Sequence, residues 1–346
     1  MKKPSTFTLF KASLFKASLF TLSASLIMTL SPVASAKDTL NVYTYDAFAS
    51  DWGPGPKIKE NFEKECDCEL NFVALDSSVG ILSRAQLEGK SSQADVLLGL
   101  DLNLMEAARK SGLLAEHDVN TSAVTIAGGW KDRTFVPFDQ GNFAFIYNAD
   151  TLKTPPTSLK DVIDNHNLRV IYQDPRTSTP GLGMLLWVKS VYGNDAADAW
   201  SRLASHTVTV TKSWSDAYGL FLKGEADVVL SYTTSPAYHI VAEGVNKYKA
   251  AQASEGLYPQ IEVAAMMKDA PNPALAKRFM HFILEPGFQS TVATGNWMLP
   301  VIPLKDALPA AFDSALQPTK VLTLPAADVA KNRKAWVNEW LEATTR

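Results

Sequence analysis

Ala94-Asp95-Val96-Leu97-Leu98 and Ala226-Asp227-Val228-Val229-Leu230 are two runs of nearly the same composition, each following a helix-like stretch that closes on a Gly or Ser cluster. Continuous apolar runs of this length suit strands buried on both faces, as in parallel sheets covered by helices. Their likeness suggests an equivalent strand in each of two lobes, although a five-residue match only supports that organisation. Around the first run the chain alternates strand and helix. Residues Thr39–Tyr45 alternate like a strand, Gly53-Pro54-Gly55-Pro56 turns, Ile58 to Glu65 has helical spacing, and Glu69 to Leu75 reads as a second strand. That grammar is the α/β class.

The chain has 346 residues, more than one compact core usually serves, so two domains are expected. Two extended stretches break the strand–helix rhythm. One is Phe135–Phe138 with Phe143–Tyr147 around Asp139-Gln140-Gly141; the other is Tyr258–Ala264. Both read as crossings between lobes, one lobe holding residues 37–140 and 262–305 and the other 141–261 and 306–346. Asn272-Pro273 is a helix start, with Asn as cap and Pro in the first turn. Leu275, Phe279, Phe282 and Ile283 then form a buried face. Pro325 to Glu342 is also helical, and Trp336 and Trp340, four apart, read as packing residues.

Residues 1–36 read as a secretory signal. Lys2, Lys3, Lys11 and Lys16 precede an apolar run from Leu19 to Leu30, then Pro32 and the small-residue site Ala34-Ser35-Ala36, with cleavage expected after Ala36. The apolar run is shorter than the about 20 residues a spanning helix needs. The whole chain has 33 basic and 36 acidic residues. Removing the four leader lysines leaves 29 against 36, a net charge of −7. A mildly acidic protein is a poor partner for nucleic acid, and no second apolar stretch suggests stable membrane insertion. The expectation is a soluble periplasmic chain. Cys66 and Cys68 are the only cysteines; the compartment favours a disulfide, the tight spacing opposes one, and both states remain open. None of the five histidines has metal-site spacing beside them, so neither metal nor cofactor is expected.

Three segments put polar or aromatic residues just past a strand, where open α/β sheets bind ligands. They are Tyr43-Thr44-Tyr45-Asp46 with Trp52, Gln173-Asp174 running into Ser178-Thr179-Pro180, and Ser231-Tyr232 running into Thr233-Thr234-Ser235-Pro236. Ser178 or Thr179, and Ser235, read as helix caps before proline. The same hydroxyls and the free amides of the helix starts also suit anionic or carbonyl oxygens. Trp214 and Trp297 stand in polar or Gly-bearing surroundings without helical apolar partners, which suits a flat ring or an organic cation. Asp46, Asp76 and Asp174 supply complementary charge. The expected solute is planar, cationic and polar at one end. No G-x-S-x-G elbow, P-loop or H-E-x-x-H motif points to catalysis.

Longer motifs carry a resemblance: Tyr43–Asp46, Asp51–Pro56, Cys66-Asp67-Cys68, Gln173–Gly183, Tyr218–Gly224, Leu230–His239 and Thr294–Trp297. Together they resemble the periplasmic thiamine-binding proteins, the solute-binding components of ABC importers. The resemblance covers essentially the whole chain after residue 36. It implies a type II, two-crossover periplasmic binding fold, with two mixed sheets flanked by helices and a cleft at the hinge. It implies thiamine, with its mono- and diphosphate, as ligand, and an inner-membrane permease with a cytoplasmic ATPase as partners. Carried over by motif, the aromatic contacts are Tyr45, Trp52, Trp214, Tyr238 and Trp297, and the polar contacts are Ser178, Thr179, Tyr232, Thr233, Thr234 and Ser235. Where the family carries an acidic residue followed by glycine, this chain reads Asp76-Ser77-Ser78; Asp76 then acts from one position earlier, beside Ser77 and Ser78. The competing readings are a same-fold binder of an anion or ferric ion, and a thiamine-degrading enzyme with a catalytic cysteine.

Overall fold

The computed structural model describes residues 37–345; the export signal expected at residues 1–36 lies outside them. The chain runs β1 (Thr39–Tyr45), α1 (Asp46–Ala49), α2 (Gly55–Cys66), β2 (Glu69–Leu75), α3 (Ser78–Glu88), β3 (Val96–Asp101), α4 (Met105–Lys110) and β4 (Phe135–Asn148). It continues with α5 (Leu159–Asp164), β5 (Val170–Gln173), α6 (Thr179–Tyr192), α7 (Ala196–Ala204), β6 (Thr207–Thr211), α8 (Trp214–Leu222), β7 (Val228–Tyr232), α9 (Ser235–Ala242) and β8 (Tyr248–Ala250). It closes with β9 (Pro259–Met266), α10 (Pro273–Phe282), α11 (Pro286–Gly295), β10 (Leu299–Pro300) and α12 (Ala326–Thr344).

The strands lie in the order β2-β1-β3-β9-β4-β7-β5-β6, with β8 and β10 also on β4. Parallel trios stand at either side, β2-β1-β3 and β6-β5-β7, and the antiparallel pair β9-β4 lies between them. In each trio the first strand of the chain is central, the second is outermost and the third adjoins the middle pair. The two apolar runs of similar composition are thus β3 and β7, which hold equivalent places. Both expected crossings fall in the middle pair. Strand β4 is a single extended element of 14 residues, with Asp139-Gln140-Gly141 inside it. Its first part pairs with β9 and its last part with β7, so one strand carries both sides of the sheet.

Aromatic packing ties α2 to α10 and α11 to β4. Phe62 of α2 meets Phe279 and Phe282 of α10 at 5.1 and 5.2 Å, and Phe288 of α11 lies 5.9 Å from Phe138 of β4. The cap expected at Asn272 is present, its side chain accepting from Leu275 N. In the tail, Trp340 is buried and its Nε1 donates to Tyr172 Oη at 3.0 Å, while Trp336 is half-buried. Pro325 lies just outside that helix, at its cap. Cys66 and Cys68 are joined as a disulfide between α2 and β2. Among the described residues no helix is long and apolar enough to cross a membrane.

Gly181 seats α6 against the end of β5. A Cβ there would lie 2.4 Å from Gln173 O and 2.6 Å from the Asp174 backbone, with no flexible side chain to yield. Gly181→Ala is therefore expected to lower the unfolding free energy by about 1–3 kcal/mol, visible in urea denaturation. An unchanged midpoint would show that the helix start is not seated tightly.

Candidate ligand-binding site

A cavity of about 460 Å³ opens at the C-terminal ends of both parallel trios, the position where open α/β sheets present ligand sites. From the first trio come Tyr45, Asp46 and Trp52 after β1, and Asp76 and Ser77 after β2. From the second come Ser178, Thr179 and Pro180 after β5, Trp214 and Tyr218 after β6, and Tyr232, Ser235 and Tyr238 after β7. Glu262 of β9 and the segment Gly295–Met298 also line it. Of the residues expected from sequence, Ser78, Thr233 and Thr234 are absent from it.

Aromatic rings form the walls in two linked stacks. Trp52, 60% exposed at the mouth, lies 6.5 Å from Trp214, which stacks on Tyr218 at 4.9 Å and 22°. Opposite, Tyr238 meets Trp297 edge to face at 5.4 Å, and Trp297 lies parallel to Phe312 at 6.2 Å. The expectation of no helical packing partner is therefore wrong for Trp214 and holds for Trp297, whose ring partners come from other segments. Trp214 has its partner one helical turn on, at Tyr218, and Trp297 takes one from distant sequence, at Phe312. The buried His239 ties the stacks together. It lies 5.8 Å from Tyr218 and 4.9 Å from Tyr238, and its ring accepts or donates to Tyr218 Oη at 2.9 Å and Glu243 Oε2 at 2.7 Å. Trp297 itself sits at φ +55°, a left-handed conformation that costs a bulky residue about 1–3 kcal/mol. Its two ring contacts hold it there.

The hydroxyls do not cap as expected. Ser178 occupies the cap position of α6 without a side-chain bond to the helix, and Thr234, not Ser235, occupies that of α9. The neighbouring hydroxyls of Thr179, Ser235 and Thr234 are engaged elsewhere. Thr179 Oγ1 donates to Ser78 Oγ at 2.6 Å, and Ser78 donates in turn to Gly99 O, so Ser78 joins the two sides of the cavity from behind its wall. Ser235 Oγ accepts from Tyr232 N at 3.2 Å and meets Ser231 Oγ, the acceptor for Trp214 Nε1 at 2.8 Å. Thr233 is buried, its N–H bonded to Asn142 O, and Thr234 Oγ1 points at Met298 Sδ.

Of the acids expected, Asp46 and Asp76 line the cavity and Asp174 does not. Asp174 is bound by Arg176 outside the cavity, and Asp76 makes an exposed ion pair with Lys212 at 2.8 Å across the mouth. The floor is Glu262 instead. Its cross-strand neighbours are Asp101 on β3 and Asp139 on β4, so three carboxyl groups form one row over three adjacent strands. All three are buried. Two bulges set this register: one residue, Gly99, is extra between Leu98 and Leu100, and another, Phe138, between Pro137 and Asp139. Gly99 is at φ +99°, and a Cβ there would lie 2.5 Å from the Tyr45 ring. Tyr45 Oη donates to Glu262 Oε2 at 2.7 Å, and Asn296 Nδ2 to Asp139 Oδ2 at 2.6 Å. No Lys or Arg is among the lining residues.

Burial pushes the Asp139 carboxyl up to about 7 and that of Asp101 up to about 6. Glu262 is raised well above the usual range, by burial first and then by the charge of Asp139. The sequence reading placed Asp139 and Glu262 beside lobe crossings and saw neither as site residues; Asp101, Asn296 and Tyr218 also escaped it as site residues. The available signal was a charge inside an apolar strand run, Ile261-Glu262-Val263 and Phe138-Asp139, since such charges are seldom fully buried without purpose.

An acid whose folded-state value is raised binds its proton more tightly when folded, so the row favours the folded state most near pH 4, the ordinary carboxyl range. That contribution is lost as pH rises toward about 7. Thermal melts of the ligand-free protein should show falling stability from about pH 5 to 7, and Glu262→Gln should flatten the trend. A wild-type melt that rises steadily through this window would contradict the buried row.

The description of bacterial extracellular solute-binding proteins matches residues 44–290. A thiamine-binding periplasmic protein of Escherichia coli (strain K12) is 55% identical over 322 residues, 93% of this chain and 98% of its own. A counterpart with the same name from Haemophilus influenzae is 42% identical over 330 residues, 94% of this chain and 98% of its own. The solved structure of a periplasmic thiamin binding protein superimposes with a TM-score of 0.87 at 56% identity, covering 90% of this chain and 97% of that one. A ferric binding protein from Campylobacter jejuni, at 19% identity and a TM-score of 0.73 over 88% of this chain and 99% of its own, shares the fold.

Proposed function

The chain belongs to the bacterial extracellular solute-binding protein family and has the mixed α/β periplasmic-binding-protein fold, and from that premise we propose that it captures thiamine in the periplasm. Thiamine mono- and diphosphate are included in the ligand set, and delivery is to an inner-membrane ABC permease driven by a cytoplasmic ATPase. One observation carries the ligand class: aromatic walls stand over an acidic floor, with no basic side chain in the lining. Such a site suits a flat ring with a fixed positive charge. The high identity to relatives named for thiamine supports the specific ligand.

Each part of thiamine has a counterpart. The aminopyrimidine stacks between Tyr45, Tyr238 and Trp297. The thiazolium lies against Trp214 and Trp52, where cation–π attraction contributes about 0.5–2 kcal/mol per ring. The hydroxyethyl or phosphate tail meets the amides at the start of α6, by Ser178 and Thr179, and the Ser178 hydroxyl. The lobes are residues 37–140 with 262–305 and residues 141–261 with 306–346. The contacts Asp76–Lys212, Ser78–Thr179 and Trp52–Trp214 then join one lobe to the other, and the ligand favours the closed arrangement.

The rival readings fit less well. Ferric ion is commonly held by ionised oxygens, and burial drives the Tyr45 and Tyr232 hydroxyls far above their usual value, opposing tyrosinate. A thiamine-cleaving enzyme needs a thiol, and the two cysteines are joined to each other away from the cavity. We propose binding without turnover. Thiamine should quench tryptophan fluorescence saturably at micromolar concentration, and Trp214→Ala should weaken binding about 3- to 30-fold. No saturable change at that concentration would sink the assignment. Thiamine incubated with the protein and a nucleophilic base should be recovered intact.

A further inference from the structure

Glu262 lines the cavity, and the two carboxyls beside it belong to no part of the ligand contacts proposed above. Asp101 and Asp139 lie directly opposite it on the strands to either side. Like charges in directly opposed cross-strand positions repel, and adjacent buried carboxyls cannot all ionise. The groups facing the row come from every element around it. Tyr45 approaches from β1, Tyr232 from β7, Tyr258 from just before β9 and Asn296 from the segment after α11, all uncharged, while Arg333 of α12 acts on Asp101. Asp101 Oδ1 accepts from the backbone N–H groups of Asn103 and Leu104 and Asp139 Oδ2 from Asn296, but Asp101 Oδ2 and Asp139 Oδ1 are buried without a hydrogen-bond partner, so a negative charge on either is only partly compensated.

We propose that a cationic solute entering the cavity displaces a proton from the row of Asp101, Glu262 and Asp139, so that capture is coupled to proton release. One carboxyl O–H bond breaks, the proton passes to water, and the carboxylate left behind offsets the positive charge of the bound solute from the floor of the cavity. The empty site stays close to neutral, and its charge develops when the ligand arrives. The raised values of Asp139 and Glu262, both caused first by burial, agree with this. The inference rests on the cation-binding reading of the cavity.

Calorimetric titration with thiamine near pH 6, repeated in buffers of different ionisation enthalpy, reads both claims. Heat that varies with buffer in proportion to about one proton released per ligand is expected. The association constant should rise by up to tenfold per pH unit from about pH 6 to 7 and level off above, because one released proton gives that slope. Glu262→Gln should abolish most of the release. Asp139→Asn should do the same if the pair shares the proton, and either variant serves if the other fails to fold. Binding whose heat is independent of buffer overturns the coupling but leaves thiamine capture standing. Release that persists undiminished in both variants also overturns it, by assigning the proton elsewhere. No binding in any buffer overturns the functional reading and this inference together.

Discussion

The pairing of β9 between β3 and β4 is the constraint on which the rest depends. Two bulges, at Gly99 and Phe138, shift the register on either side of it and so bring Asp101, Glu262 and Asp139 abreast. Bulges cost ladder bonds and re-aim side chains, and they are common beside functional sites. Here they gather charge where the core would otherwise be apolar. Strand β4 then continues past β9 to pair with β7, so the residues that make the floor also join the two trios.

The walls depend on a different economy. Most of the rings around the cavity contact other rings, from Trp52 through Trp214 and Tyr218 to His239, and back through Tyr238 and Trp297 to Phe312. Rings held this way lose little freedom when a ligand binds, which lowers the cost of association. The strained backbone at Trp297 belongs to the same design, being maintained by contacts on both of its sides. The hydroxyls behind the walls lock neighbours in place: Ser231 holds the Trp214 indole, and Ser78 links Thr179 to the β3 bulge.

Much of this was legible in the sequence where the signal was local. Alternation in Thr39–Tyr45 and Glu69–Leu75 gave β1 and β2 with their observed bounds, and the Asn272-Pro273 pair gave a helix start. Segments following strands gave Tyr45, Trp52 and Tyr232 as cavity candidates, because strand ends and topology are linked by simple rules, while Trp214 stood out by its polar surroundings and Tyr238 by the resemblance. What escaped was pairing at long range. The carboxyl row depends on register among residues far apart in the chain, and a one-residue bulge changes it without a sequence mark other than Gly99. Ser178 stands at a cap position as its local pattern indicates, though its oxygen makes no cap bond, and Ser235 lies one residue inside its helix with its oxygen taken by Ser231 and Tyr232. Asp76 is part of an ion pair at the mouth because Lys212 reaches it from the equivalent strand end of the other trio.

The central claim is that the cavity selects a positively charged ring. Thiamine and an isosteric analogue with an uncharged thiophene in place of the thiazolium differ in little but that charge, so their dissociation constants, measured side by side on the wild-type protein, test it most directly. The account predicts that the neutral analogue binds at least about tenfold more weakly, the equivalent of about 1.4 kcal/mol. Equal affinity for the two would contradict it.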